Sequence, residues 1–288
     1  MTTESVRPQP ASGQSQPPGG RARPLPSALR VGISRGVMEI REFFRRRDSV
    51  VFTLSFPAIL LTLFGLVFTH RYEEIGVTVP QIYVTGLLGS AVMSASFTNL
   101  GGGITMDRED GTLKRLRGTP MPRSAYFLGK VMLVGVISLL GSALVMLVGL
   151  LMLGLPLPSA TGWLTLGWVF ALGVVACSLL GIAVSSLVRN SRSVAVVISL
   201  PFLLLQFISG VFIPFDEVPE PLHHIASLFP LQWLVQGFRT ALLPDAVATL
   251  APDRSYSLGT VAMVLGAWIV VGLVLCMTTF RWKARNEG

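Results

Sequence analysis

Residues 50 to 69 read VVFTLSFPAILLTLFGLVFT, twenty residues without a charge. At about 1.5 Å rise per residue, a helix of that length covers roughly the 30 Å hydrocarbon thickness of a bilayer. Comparable apolar runs follow at about 81–105, 125–153, 163–188, 193–213 and 257–280. An apolar share of 51% and a mean hydropathy of +0.64 do not belong to an ordinary soluble domain of this length. The pattern predicts an all-α polytopic membrane protein with six transmembrane helices.

Basic residues resist translocation, so their distribution sets the orientation. Nine precede the first run, six lie between Arg108 and Lys130, Arg189 and Arg192 follow the fourth run, and Arg281, Lys283 and Arg285 follow the sixth. Only Arg71, Arg239 and Arg254 fall on the other side. Both termini are therefore expected in the cytoplasm, and the net charge of +8 reads as a topology and lipid-surface signal, not a nucleic-acid footprint. An excess of 20 arginines over 3 lysines suits the codon usage of a GC-rich bacterial genome, which points to a bacterial cytoplasmic membrane.

Residues 1–26 are rich in Pro, Gly, Ser, Gln and Arg, a composition that predicts a disordered cytoplasmic tail. Over residues 27–49, Leu29, Val31, Ile33, Val37, Met38, Ile40, Phe43 and Phe44 alternate with arginines at helical spacing. That predicts an amphipathic helix on the inner leaflet, with a basic solvated linker as the alternative. The first run starts too late for a leader, and no small-residue cleavage pattern follows Phe68, so it reads as a signal anchor.

Proton- and ion-coupled carriers place ionisable residues mid-bilayer, and these runs have none there. Lys130 lies near one end, where it is expected to snorkel to the headgroups. Cys177 and Cys276 have no Cys or His neighbour at metal-ligand spacing, so they read as packing residues and no metal site is expected. Cys177 belongs to a ridge of small residues, Gly173, Cys177, Gly181 and Ser185, whose four-residue spacing lets another backbone approach. Gly129 and Lys130 form a GK pair, but Ser124 stands where a phosphate loop needs its first glycine, so no ATP-binding site is expected in this chain. Gly101, Gly102 and Gly103 mark close packing or a kink.

The link from Met106 to Lys130 reads MDREDGTLKRLRGTPMPRSAYFLGK. Gly111 interrupts the helix, Thr112 caps a new one, Leu113 and Leu116 share a face beside Lys114, Arg115 and Arg117, and Gly118, Thr119, Pro120 and Pro122 end it. A short helix exposing leucines among charges suits a groove on a partner protein or a lipid surface. Residues 214–247 are broken by Pro214, Pro219, Pro221 and Pro230 yet stay apolar, which predicts a re-entrant segment on the outer side.

Glu109, Gly111, Thr112, Leu113, Leu116, Thr119 and Pro120 match the E-x-G-T-L-x-x-L-x-x-T-P segment of type-2 ABC transporter permeases, and the chain resembles their daunorubicin-resistance-like exporters. Ser209, Gly210, Pro214, Pro219, Pro230 and Arg239 match the same family's SG…P…P…P…R pattern. The likeness covers roughly residues 27 to 285. It implies a non-catalytic half-transporter: an elbow helix, a cytoplasmic coupling helix, six spans, a second permease copy forming a homodimer, and two separate ATPase subunits that hold ATP and Mg. By that likeness Glu109, Gly111, Thr112, Leu113, Arg115, Leu116 and Thr119 would meet the ATPase. Pro214, Pro219, Pro230 and Arg239 would shape an outer gate. The second and fifth helices would line the path, which makes Ser94, Thr98, Asn99, Gln206 and Ser209 its candidate polar residues; helix-to-helix hydrogen bonding explains them as well. A mostly apolar path favours an amphiphilic drug, lipid or glycoconjugate moved outward. The alternatives are an ion-coupled carrier and a non-transporting membrane scaffold.

Overall fold

The computed structural model describes residues 27–73, 76–119, 121–188, 190–213, 218–244 and 257–279. The expected tail at 1–26 and Pro214 lie outside them. Helix α1 (Ala28–Arg45) is capped by Ser27, whose hydroxyl accepts from the Arg30 N–H at 3.3 Å. Arg46 alone separates it from α2 (Arg47–Val67), so the expected amphipathic segment at 27–49 ends earlier and the first span begins earlier. A helical hydrogen-bond ladder needs no apolar side chains to start, which is why Arg47, Asp48 and Ser49 join α2.

A two-residue hairpin, β1 (Arg71–Tyr72) and β2 (Val77–Thr78), pairs Arg71 with Thr78 and Tyr72 with Val77. Helix α3 (Val79–Met93) follows, continues through a π-helical turn (Ser94–Asn99) and emerges as α4 (Leu100–Glu109). This interrupted run is the expected second span. It is the centre of the bundle: every residue of α3 but Gln81 is buried. Gln81 spans two ends, accepting from the Thr78 N–H at 3.0 Å and donating to the Gly154 carbonyl at 3.0 Å.

Gly111 takes φ +73°, in the left-handed region that glycine tolerates, and the chain folds straight into α5 (Thr112–Arg117). Then come α6 (Arg123–Met152) and α7 (Ala160–Ser185), the latter capped by the Ser159 hydroxyl. A 3-10 turn (Ser191–Ser193) and a second π-helical turn (Ala195–Ser199) lead into α8 (Leu200–Ile208). Prolines start both short helices of the expected re-entrant segment, α9 (Glu220–Ser227) and α10 (Pro230–Leu242). The Trp233 indole donates to the Ser227 carbonyl at 2.7 Å, and the Trp268 indole of α11 (Leu258–Thr279) donates to the Leu228 carbonyl at 2.8 Å.

Among the described residues, five helical stretches are long and apolar enough to cross a bilayer: Arg47–Val67, Ser124–Met152, Ala160–Ser185, Ser191–Ile208 and Leu258–Thr279. With the interrupted run through α3 and α4 beside them, the molecule is an all-α multi-pass membrane protein.

The small-residue ridge of α7 works as spacing predicted. Leu234 of α10 packs over Gly173, and the π-helical turn after α3 lies with its backbone against Gly181. Gly101 packs tightly too, against Ile198 and the Gly181 carbonyl, whereas a side chain at Gly103 would meet open space.

Candidate functional site

The ends of α1, α4, α6 and α7, the whole of α5 and the start of the run into α8 meet at one end of the bundle, the end that carries most of the basic residues. Three consecutive side chains at the end of α4 organise it. Asp107 accepts a hydrogen bond from the Tyr126 hydroxyl at 2.8 Å and pairs with the Lys130 ammonium at 2.8 Å. Lys130 also pairs with Glu39 of α1 at 2.9 Å, and Arg35 holds the other oxygen of Glu39 at 2.9 Å. Two cations and two carboxylates thus balance in a site where Glu39 is 5% exposed and Lys130 8%. The expectation that Lys130 snorkels to the headgroups is overturned: α1 covers the position, and two carboxylates replace the water an ammonium would seek.

Helix α1 can lie that close because its inner face is glycine. Leu128 packs on Gly32, Met132 packs on Gly36, and Arg35 and the Gly36 backbone lie on Gly129 of α6. Leu29, Ile33 and Phe44 remain exposed on its other side, where an apolar face suits lipid. So the helix is amphipathic, but the stripe bearing Gly32, Gly36 and Glu39 meets protein, while Arg30, Arg41, Glu42 and Arg45 stay exposed.

Arg108 donates to the carbonyls of Ser185 at 3.0 Å and Val188 at 3.3 Å, closing the end of α7. Burial lowers its guanidinium below the ordinary arginine value, which leaves it cationic at neutral pH. Glu109 accepts from the Ser191 N–H at 2.8 Å, at the start of the run into α8. That N–H holds the Glu109 carboxyl below its ordinary 4.5. The contact is therefore present at neutral pH and is lost as pH falls through the lowered value.

The sequence-predicted partner surface divides on inspection. Leu113, expected to be exposed, is 1% exposed and packs into the core, and Leu116 is half-buried against it. A six-residue helix cannot stand alone in water, and these leucines are what fasten α5 to the bundle. Glu109, Lys114, Arg115 and Thr119 are the exposed members. A groove of about 430 Å³ between α1 and α5 is lined by Arg30, Ser34, Met38, Leu116, Thr119 and Met121, among others.

The candidate path residues are not gathered into one cluster. Ser94, Thr98 and Asn99 sit on the π-helical turn after α3, the first two half-buried and Asn99 exposed. Gln206 of α8 accepts from the Ser90 hydroxyl of α3 at 2.6 Å, so helices from both predicted path elements do touch through polar groups. The hydroxyls of Thr98 and Ser209 are buried without a hydrogen-bond partner among the described residues. Replacing Ser90 with alanine is expected to destabilise the chain by about 1 kcal/mol, since Gln206 then keeps a buried unpaired oxygen; thermal unfolding in detergent measures it.

At the opposite end Pro219 precedes α9, Pro230 opens α10, and the buried Arg239 donates to the Gly210 carbonyl at 2.8 Å. That bond ties α10 to the end of α8. Among the described residues no group of three His, Cys, Asp or Glu is placed to hold a metal.

Glu39, Asp107, Arg108 and Tyr126 were not singled out by sequence reasoning. One signal was present for Glu39: it falls three and seven residues after Gly36 and Gly32, on the face that spacing assigns to close packing.

The model of the ABC-2 type transporter family matches residues 36–243. The chain is similar to a protein named as the transport permease ycf38 of Porphyra purpurea, 27% identical over 205 residues that make up 69% of each chain. Its namesake in Pyropia yezoensis is 29% identical over 214 residues, 72% of this chain and 71% of that one. The transport permease YvfS of Bacillus subtilis is 22% identical over 196 residues, 68% of this chain and 79% of that one. With most of its length matched, this chain belongs to the ABC-2 type transporter family and is a multi-pass transport permease subunit.

Proposed function

We propose that the chain is the membrane half of an ATP-driven exporter whose ATPase docks at the basic end. The observation that carries the reading is the placement of α5: a short helix bearing Lys114 and Arg115, fastened by Leu113 and flanked by the groove beneath α1. The basic end is then cytoplasmic, in a bacterial cytoplasmic membrane, and α9 and α10 lie toward the outside. Two permease copies, as a homodimer, associate with two ATPase subunits, which hold ATP and Mg. Gly111, Thr112, Leu113 and Leu116 shape this surface from within, while Glu109, Arg115, Thr119 and the groove meet the ATPase.

ATP binding closes the ATPase pair, α5 is displaced, and the second and fifth spans part. The unpartnered hydroxyls of Thr98 and Ser209 and the Ser90–Gln206 contact support a path there, since buried polar groups without partners are uncommon. The apolar remainder favours an amphiphilic cargo. Pro219, Pro230 and Arg239 brace the outer gate.

Purification of the detergent-extracted chain from its host tests this. Recovery of a bound ATPase whose turnover responds to amphiphiles supports the exporter; a chain that carries cargo across vesicles on an ion gradient without ATP sinks it. Arg115→Glu is expected to weaken ATPase retention about tenfold, because an acidic docking surface would meet like charge; titration of purified ATPase onto the permease in nanodiscs reads it. Single cysteines at Glu73 and Arg115 should label from opposite sides, Glu73 from outside, with membrane-impermeant maleimide on intact cells and inverted vesicles.

A further inference from the structure

Asp107, Arg108 and Glu109 leave the last turn of α4 roughly 100° apart, as successive helical residues must, and each reaches a different neighbour. The three holds are unequal. Asp107 reaches α6 directly and α1 through Lys130, in a network of short contacts largely shielded from water. Arg108 makes two bonds to the end of α7 with its side chain partly buried. Glu109 is exposed and holds only the turn at Ser191, accepting from its N–H at 2.8 Å and from its hydroxyl, with Arg192 nearby.

What lies beyond Ser191 is also different. The stretch into α8 is wound as a 3-10 turn and then a π-helical turn, not as one regular helix. Such turns mark places where helical winding changes at little cost. Its contact with the second span is a close one, Ile198 against Gly101 near the π-helical turn of Ser94–Asn99. Two helical irregularities therefore face each other just inside the Glu109–Ser191 bond.

We infer that these three residues form a joint with two fixed arms and one releasable arm. Asp107 and Arg108 make α1, α4, α5, α6 and α7 move as one body, and Glu109 is the latch that holds the run into α8 against that body. When α5 is displaced, the Glu109 bond opens first, and the fifth span moves away from the second. Glu109, Asp107 and Arg108 are positioning residues: they act through the helices they hold. The inference rests on the reading of α5 as the ATPase contact.

The distances are read on the full permease alone in nanodiscs, in a Cys177→Ala, Cys276→Ala background, with spin-label pairs at Arg41 and Arg115 and at Arg115 and Val196, and turnover is read on the unlabelled permease with its ATPase. In the absence of nucleotide, Glu109→Ala is expected to broaden the Arg115–Val196 distance distribution, while Glu109→Gln, which keeps an oxygen acceptor for Ser191, keeps the wild-type distribution. The Arg41–Arg115 distance stays unchanged in both. Glu109→Ala should also raise the ATP hydrolysed per cargo molecule about threefold, a ratio that a purely structural loss of folded protein would not move. An unchanged Arg115–Val196 distribution in Glu109→Ala, or an equal change in the Arg41–Arg115 pair, overturns the latch. Should Glu109→Ala fail to fold, Ser191→Pro removes the same donor from the other side and must reproduce its broadening. The nucleotide-free comparison needs no ATPase, so a wild-type complex that ignores nucleotide overturns the exporter reading and leaves the latch to be decided by its own distances.

Discussion

Lys130→Met is expected to cost about 3 kcal/mol of stability, because it takes their shared cation from the buried Glu39 and the half-buried Asp107 carboxylates. The flexible Met side chain fills similar space, so lost packing contributes little. Lys130 bridges Glu39 at 2.9 Å and Asp107 at 2.8 Å, and Arg35 is committed to Glu39. Replacing Asp107 as well, as Asp107→Asn and Lys130→Met together, should recover most of the loss, since Arg35 and Glu39 then remain as a balanced pair and no unpaired charge is left. Thermal unfolding of the detergent-solubilised proteins distinguishes the two. Equal loss in the single and double variants would show that packing, not charge, governs the site.

Gly181→Ala is the second large effect. A Cβ there would lie 2.8 Å from the Ser96 carbonyl oxygen, 2.9 Å from that of Phe97 and 3.0 Å from the Phe97 Cα. These are backbone atoms and cannot rotate aside, so α7 must separate from the π-helical turn, at about 1–3 kcal/mol. Gly167 on the same helix has nothing within 4 Å of its would-be Cβ, and Gly167→Ala should be neutral or slightly stabilising. Unfolding temperatures of the two variants, compared side by side, check the contrast.

Much of the architecture is legible in the sequence because bilayer thickness imposes a length on apolar runs, and the runs near 50–69, 125–153, 163–188 and 257–280 return as helices shifted by a few residues. Gly111 and Thr112 at one end and Gly118 at the other likewise bracket α5, and prolines announce α9 and α10. What is not legible is which face of a short helix looks inward. Leu113 among Lys114 and Arg115 reads as an exposed anchor, yet the left-handed turn at Gly111 folds it into the core. Nor does spacing reveal partners far along the chain: Glu39, Asp107 and Lys130 lie on three helices, and only packing makes them neighbours. The π-helical turns leave no mark in hydropathy, since SASFTN and AVVIS suit an ordinary helix equally well.

The seat of α1 on α6 also orders events during synthesis. Glu39 leaves the ribosome long before Lys130, 91 residues further along the chain (39 to 130). Until then its carboxylate has only Arg35 beside it, and the glycine face has no surface to meet. The nascent α1 must therefore wait at the headgroups with its charges wet and its Leu29, Ile33 and Phe44 side already in lipid. It closes onto the bundle only once the third span has been inserted, which makes seating of the elbow a late step in biogenesis.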